Sequence, residues 1–164
     1  MRARFGLARC LDDLGRRDDA LTHYRELLRL NPGDNQGARY GLLNALLLTG
    51  RDDEAAALLR KFDDEPTALW QYGQALWAFR RDGDSPASRQ RLRAAVRVNR
   101  HVPGYLTGDG AWTDPSPTSY AMGSREEAVI TVDELGEAWT ATPGALDWLA
   151  AHAPAGKRRK RRRR

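Results

Sequence analysis

Apolar residues recur every three or four positions through residues 1–99, in blocks broken by glycine, proline and aspartate. In the first block Phe5, Leu7, Ala8, Leu11 and Leu14 fall at helical spacing. Gly15 permits a turn, and Ala20, Leu21, Tyr24, Leu27 and Leu28 form a second helical face. Asn31-Pro32-Gly33-Asp34 then stops the helix, because proline cannot continue it and the other three favour turns. The pattern predicts a helical hairpin over about residues 2–31, a second from Gln36 to Lys61 and a third from Pro66 to Val98. Ser85-Pro86 supplies a cap followed by proline at the first helical position.

The hairpins repeat one another. Gly15, Gly50 and Gly83 lie 35 and 33 residues apart. After each comes a small residue (Ala20, Ala55, Ser88), then a larger one (Tyr24, Leu59, Leu92). Leu27, Phe62 and Ala95 follow one turn later. A period of that length predicts an all-α fold, a right-handed solenoid of about three helical hairpins over residues 1–99. Solenoids present surfaces and seldom carry out chemistry, so the expected role is binding.

Beyond Asn99 the repeat ceases. Residues 103–123 hold three prolines and four glycines together with Tyr105, Leu106, Trp112, Tyr120 and Met122, so residues 100–123 are expected to form a loop packed on the solenoid. Ser124-Arg-Glu-Glu127 reads as a capping box. Ala128, Val132, Leu135 and Trp139 share one helical face behind it, and Thr142-Pro143 begins a shorter helix with Leu146, Trp148 and Leu149. Residues 124–152 are therefore expected to be helices that cap the open end of the stack, and residues 153–164 a disordered basic tail.

The repeated positions resemble the tetratricopeptide repeat. The first unit carries Leu7, Ala8, Leu11, Ala20, Tyr24, Leu27 and Pro32; the second carries Leu42, Leu43, Leu46, Ala55, Leu59 and Phe62. The third carries Tyr72, Ala75, Leu76, Phe79, Ser88, Leu92 and Ala95. The consensus tryptophan is missing from the first unit and the closing proline from the other two. A further set of motifs, GDNQGARY (33–40), NRHVPGYL (99–106), GSREEAV (123–129), EAW (137–139) and PGALDWL (143–149), is similar to the C-terminal region of the suppressor-of-tumorigenicity-seven family and to related bacterial repeat proteins. That likeness runs over about residues 30–149 and implies a helical scaffold rather than a defined chemistry.

The repeat resemblance also implies a concave face lined by the first helix of each unit. On its register the lining residues are Arg2, Phe5, Arg9 and Asp12, then Tyr40, Asn44 and Leu47, then Trp70, Trp77 and Arg80. Guanidinium and amide donors interleaved with aromatic faces suit a peptide or a partner helix. Phe5, Arg9, Tyr40, Asn44, Trp70, Trp77 and Arg80 are the expected groove residues, with core packing an equal alternative for Trp70 and Trp77. The resembled family's carboxylate clamp is not matched: only Asn44 agrees in kind, and Gly73 and Trp77 stand where later cations belong. Arg39 is expected to anchor a buried ion pair.

Composition refines this picture at one place. The net charge is +5, yet residues 157–164 read KRRKRRRR; without them 19 Lys+Arg stand against 22 Asp+Glu, a net charge of −3. The folded part is therefore mildly acidic, against a generally basic nucleic-acid-binding domain. The tail itself, Lys157, Arg158, Arg159, Lys160, Arg161, Arg162, Arg163 and Arg164, is a candidate for non-specific, salt-sensitive binding of polyanions such as RNA or DNA. One lysine against 18 arginines in the body, with abundant alanine and glycine, points to a GC-rich bacterial genome.

Catalytic and metal chemistry find little support. His23, His101 and His152 are isolated, without zinc-ligand spacing, and no phosphate loop or nucleophile elbow occurs. An enzyme would need His101 to meet Asp109 or Asp114. Cys10 is expected in the core, and the acidic pairs Asp12-Asp13, Asp18-Asp19, Asp52-Asp53 and Asp63-Asp64 are expected to serve helix N-termini. No run reaches the length of a membrane span, no secretory signal precedes the repeats, and a single cysteine fits a reducing cytoplasm. The expectation is a non-catalytic cytoplasmic interaction scaffold with no cofactor and a protein or peptide partner.

Overall fold

The computed structural model describes residues 1–108, 117 and 119–153, and it is built from helices. Three antiparallel pairs come first: α1 (Arg2–Asp13) with α2 (Arg17–Leu30), α3 (Ala38–Leu48) with α4 (Asp52–Lys61), and α5 (Ala68–Asp82) with α6 (Pro86–Val98). A short α7 (Val102–Leu106), a long α8 (Arg125–Ala141) and α9 (Ala145–His152) complete the order.

The three spaced glycines turn the hairpins, each in the left-handed half of backbone space: Gly15 at φ 73°, Gly50 at φ 69° and Gly83 at φ 61°. A side chain is strained there, so the repeat marks a backbone need. The small residue after each turn is wholly buried (Ala20, Ala55, Ser88), and Tyr24, Leu59 and Leu92 are buried behind it. Ser85 and Ser88 form a reciprocal capping box at the start of α6.

The loop between the first two pairs explains the GDNQGARY motif. Asp34 adopts φ 49° and turns its carboxylate back onto the start of α3, accepting the amides of Ala38 (2.7 Å) and Arg39 (2.8 Å). Aspartate tolerates this conformation better than most residues and suits the positive end of the helix. Gly37 supplies a second left-handed step, and Ala38 is buried. Arg39 then ties the α2–α3 loop to the α4–α5 loop: its guanidinium pairs with Asp34 (2.9 Å) and Glu65 (2.5 Å) and donates to the Tyr40 hydroxyl (2.9 Å). The buried ion pair expected of Arg39 is present.

Helix α2 packs on α3 at a point where only glycine fits. A methyl group on Gly41 would stand 2.5 Å from Cζ of Tyr24, whose ring is fully buried.

The start of the chain departs from expectation. Cys10 is exposed, as are Leu7 (47%) and Leu14 (74%), because the stripe they share points away from α2 and α3 at the open end of the stack. Of the acidic pairs, Asp18-Asp19 and Asp52-Asp53 lie in first helical turns, whereas Asp12-Asp13 end α1 and Asp63-Asp64 follow α4. Within the segment expected to be a loop, Val102–Leu106 closes into α7, whose proline occupies the first turn, where no amide partner is lost.

Helices α8 and α9 also differ from a simple end cap. Helix α9 meets α6 and stacks Trp148 on Phe79 at 4.6 Å, while Asp84 accepts the Trp148 indole N–H at 2.9 Å. Helix α8 instead runs along α3 and α5, the first helices of two pairs. Ala128, Val132, Leu135 and Trp139 are buried as one face.

Replacing Gly41 with alanine is expected to lower stability by about 1–3 kcal/mol, the usual range for overpacking a core. Gly6→Ala, at a helical site with nothing within 4 Å, should be neutral or slightly stabilising. Urea midpoints of the two variants read the contrast directly. Acid titration tests the Arg39 cluster. Burial alone would raise the Glu65 carboxyl, but hydrogen bonds and charge from Arg39 outweigh it and hold Glu65 below the usual carboxylate range. Its contribution is therefore complete above the unfolded value of about 4.3 and fades as pH falls below it. Glu65→Gln should flatten that part of the stability–pH curve.

Candidate functional site

The inner face of the repeats is shared between an internal helix and two openings. What holds α8 there is a buried carboxylate. Glu127 is 2% exposed and accepts three N–H donors: the Ala68 amide at the start of α5 (3.0 Å), the Gly123 amide (2.6 Å) and Asn99 Nδ2 (3.0 Å). It thus caps α5 from another element. Only half of the expected capping box forms: Ser124 Oγ accepts the Glu127 amide at 3.1 Å, while the Glu127 side chain turns to α5 and Asn99.

Asn99 completes the network. Its Nδ2 also donates to the Ser124 carbonyl (2.8 Å), its Oδ1 accepts the His101 amide (2.9 Å), and its carbonyl accepts the hydroxyl of buried Tyr72 (2.7 Å). The motifs NRHVPGYL and GSREEAV therefore meet here, through Asn99, Gly123, Ser124 and Glu127. Further along α8, Leu135 approaches Gly73 of α5, where an added methyl would lie 3.8 Å from it and 2.6 Å from Leu43 of α3. The edge of α8 is held by ion pairs, Glu134 with Arg9 and Glu137 with Arg17.

Between α1, α3 and α8 an open polar notch of about 400 Å³ remains, lined by Arg9, Asp12, Arg17, Asn44, Glu134 and Glu137 among others. Burial pushes the Asp12 carboxyl above its usual range, against the opposing pull of Arg17 and Arg9. The Asn44 amide oxygen is buried and has no donor among the described residues. A second cleft of about 560 Å³ opens where Leu47 and Asp52 face Phe79, Arg80 and Thr142.

The expected groove residues separate into four places. Arg9 and Asn44 come together in the notch. Trp70 is fully buried between the edges of Tyr40 (6.1 Å) and Phe62 (6.0 Å), so it belongs to the core between repeats and lines no groove. Tyr40 is half-buried beside it, under the Arg39 guanidinium at 4.5 Å. Trp77 and Arg80 both turn to the start of α4: the indole N–H donates to the Asp52 carbonyl (3.0 Å), and the guanidinium pairs with the Asp52 carboxylate (3.0 Å). Arg80 also reaches Thr142 Oγ1 at 3.3 Å. Phe5 is half-buried with its ring edge-on to Tyr24 at 6.4 Å.

Glu127, Glu134 and Glu137 are the site residues that sequence reasoning missed. The capping-box spacing singled out Glu127, but nothing local distinguishes a return to its own helix from a reach across to α5. Lys157, Arg158, Arg159, Lys160, Arg161, Arg162, Arg163 and Arg164, and the catalytic candidates Asp109 and Asp114, lie outside the described residues.

This geometry, three helical pairs with first helices facing inward, coincides with what comparison shows. Residues 13–76 match the tetratricopeptide repeat. The match runs from the last residue of α1 into α5, so it covers two of the three turning glycines and the α2–α3–α4 succession entire. No curated protein and no solved structure matches the chain. Tetratricopeptide repeats generally mediate contacts between proteins, through the extended concave surface that stacked pairs create. Here α8 lies on that surface. Among the described residues no helix is long and apolar enough to cross a membrane.

Glu127→Ala should cost about 3 kcal/mol of stability, since it strands two buried donors, Ala68 N–H and Asn99 Nδ2, and the half-buried Gly123 amide. Asn99→Ala should also destabilise. The pair should be non-additive by more than about 0.5 kcal/mol, because both belong to one network. Denaturant unfolding of the four species in the cycle measures it.

Proposed function

We propose that the protein is a non-catalytic interaction scaffold of the cytoplasm whose repeat inner face receives a helical or extended segment of a protein partner at the notch beside α8. One observation carries the reading: this face already accommodates a helix, α8, through an apolar ridge on α3 and α5 and arginine–carboxylate pairs at its edge. The notch continues that surface, with guanidinium, carboxylate and amide groups within reach of a bound chain. Segments that resemble the suppressor-of-tumorigenicity-seven family supply Asn99, Glu127, Trp139 and Trp148 to the framework, which supports a scaffold rather than an active site. The eight consecutive cations at 157–164 favour a second reading, that of an adaptor held on nucleic acid through its tail while the repeats engage protein.

Capture of partners by the full chain and by a chain lacking 157–164, with nuclease and a salt series, separates the two readings. The scaffold reading expects recovery to survive nuclease, high salt and loss of the tail, and to fall by about tenfold when Arg9 and Asn44 are both replaced by alanine with the helical content unchanged. The adaptor reading expects recovery to vanish with the tail or the nuclease.

A further inference from the structure

The structure points to a second interaction surface, an apolar stripe along α1 whose flank reaches the notch only at Asp13. Ala3, Leu7, Cys10 and Leu14 follow one another at spacings of four, three and four, a single stripe along α1, and all are exposed. Leu7 is 47% and Leu14 74% exposed, while Ala8 and Leu11 on the adjoining face are buried against the repeat. Leu30 at the end of α2 (48% exposed) extends the patch, since the Arg4–Glu26 pair sets the last turns of α2 beside the first turn of α1. An apolar patch of this kind on a soluble surface marks a contact.

We propose that this face joins two copies of the chain, with α1 packed antiparallel against α1 of the second copy about a twofold axis. Three features of α1 favour that occupant. First, antiparallel packing about a point between residues 8 and 9 sets Ala3 against Leu14 and Leu7 against Cys10 of the other copy. Each layer then pairs a small side chain with a large one, as close packing requires. Second, the charges are self-complementary in the same arrangement. The helix begins with Arg2 and Arg4 and ends with Asp12 and Asp13. Arg2 and Asp13 are both exposed and stand eleven residues apart, three turns, hence on the same flank of the stripe. In an antiparallel pair, residues on that flank face each other, so Arg2 of each copy meets Asp13 of the other. Third, a twofold contact uses one patch on both copies and closes on itself, so it needs no second complementary surface.

Sedimentation equilibrium of the full chain across a concentration series at physiological ionic strength is the test. The wild type should show a reversible dimer. Leu7→Glu combined with Leu14→Glu changes only side chains already exposed in the monomer, so helicity should be kept while the dissociation constant rises at least about tenfold. The orientation has its own readout: Arg2→Asp should weaken the dimer and Asp13→Arg in the same chain should restore it. A short bismaleimide should link two chains through Cys10, the one cysteine. A monomeric mass at every concentration overturns the proposal. So does a dimer indifferent to the two leucine substitutions, or a charge exchange that fails to restore association.

Discussion

The placement of α8 depends on how one buried carboxylate is satisfied. Glu127 is satisfied by three N–H donors, one of them at the positive end of α5. A carboxylate taken out of water without such donors would be prohibitively costly. The requirement therefore sets the N-terminus of α8 beside the N-terminus of α5, and from that point its seventeen residues run along α3 and α5. Leu43 and Leu135 fill the space that Gly73 leaves open, and Arg9 and Arg17 close over the far edge.

That arrangement changes what the repeats can offer. In an uncovered stack the first helices would present one continuous concave surface. Here its centre is taken by the chain itself, leaving a polar notch towards α1 and a cleft beside Arg80. The side chains in the notch are also those that fasten α8, so occupancy of the notch and the hold on α8 share Arg9, Arg17 and Glu134. The apolar stripe along α1 shares none of them.

The conformational role of the loops is equally specific. Asp34, Gly37 and Arg39 turn the connection between the first two pairs into a cap and an ion-pair cluster, and Asp84, itself paired with Arg89 of α6, fastens α9 through the Trp148 indole. The polar groups of Asp34, Arg39 and Tyr40 within GDNQGARY thus serve the backbone and one another.

Local order was legible in the residues alone. Apolar spacing, the turning glycines at 15, 50 and 83, and the Ser85-Pro86 start placed six helices and their repeat, because those features act within one or two turns of chain. The shared face of Ala128, Val132, Leu135 and Trp139 was equally visible. What that face would cover was not, and neither was the burial of Trp70 between Tyr40 and Phe62, the exposure of Cys10, nor the reach of Glu127 to Ala68. Periodicity assigns a residue to one side of its helix, whereas burial depends on which other helix arrives there. The sequence by itself determined the hairpins, their repeat and the faces they present. Only the tertiary structure decided that α8 would lie on the inner face and that one stripe of α1 would stay bare, because both follow from contacts between residues far apart in the chain.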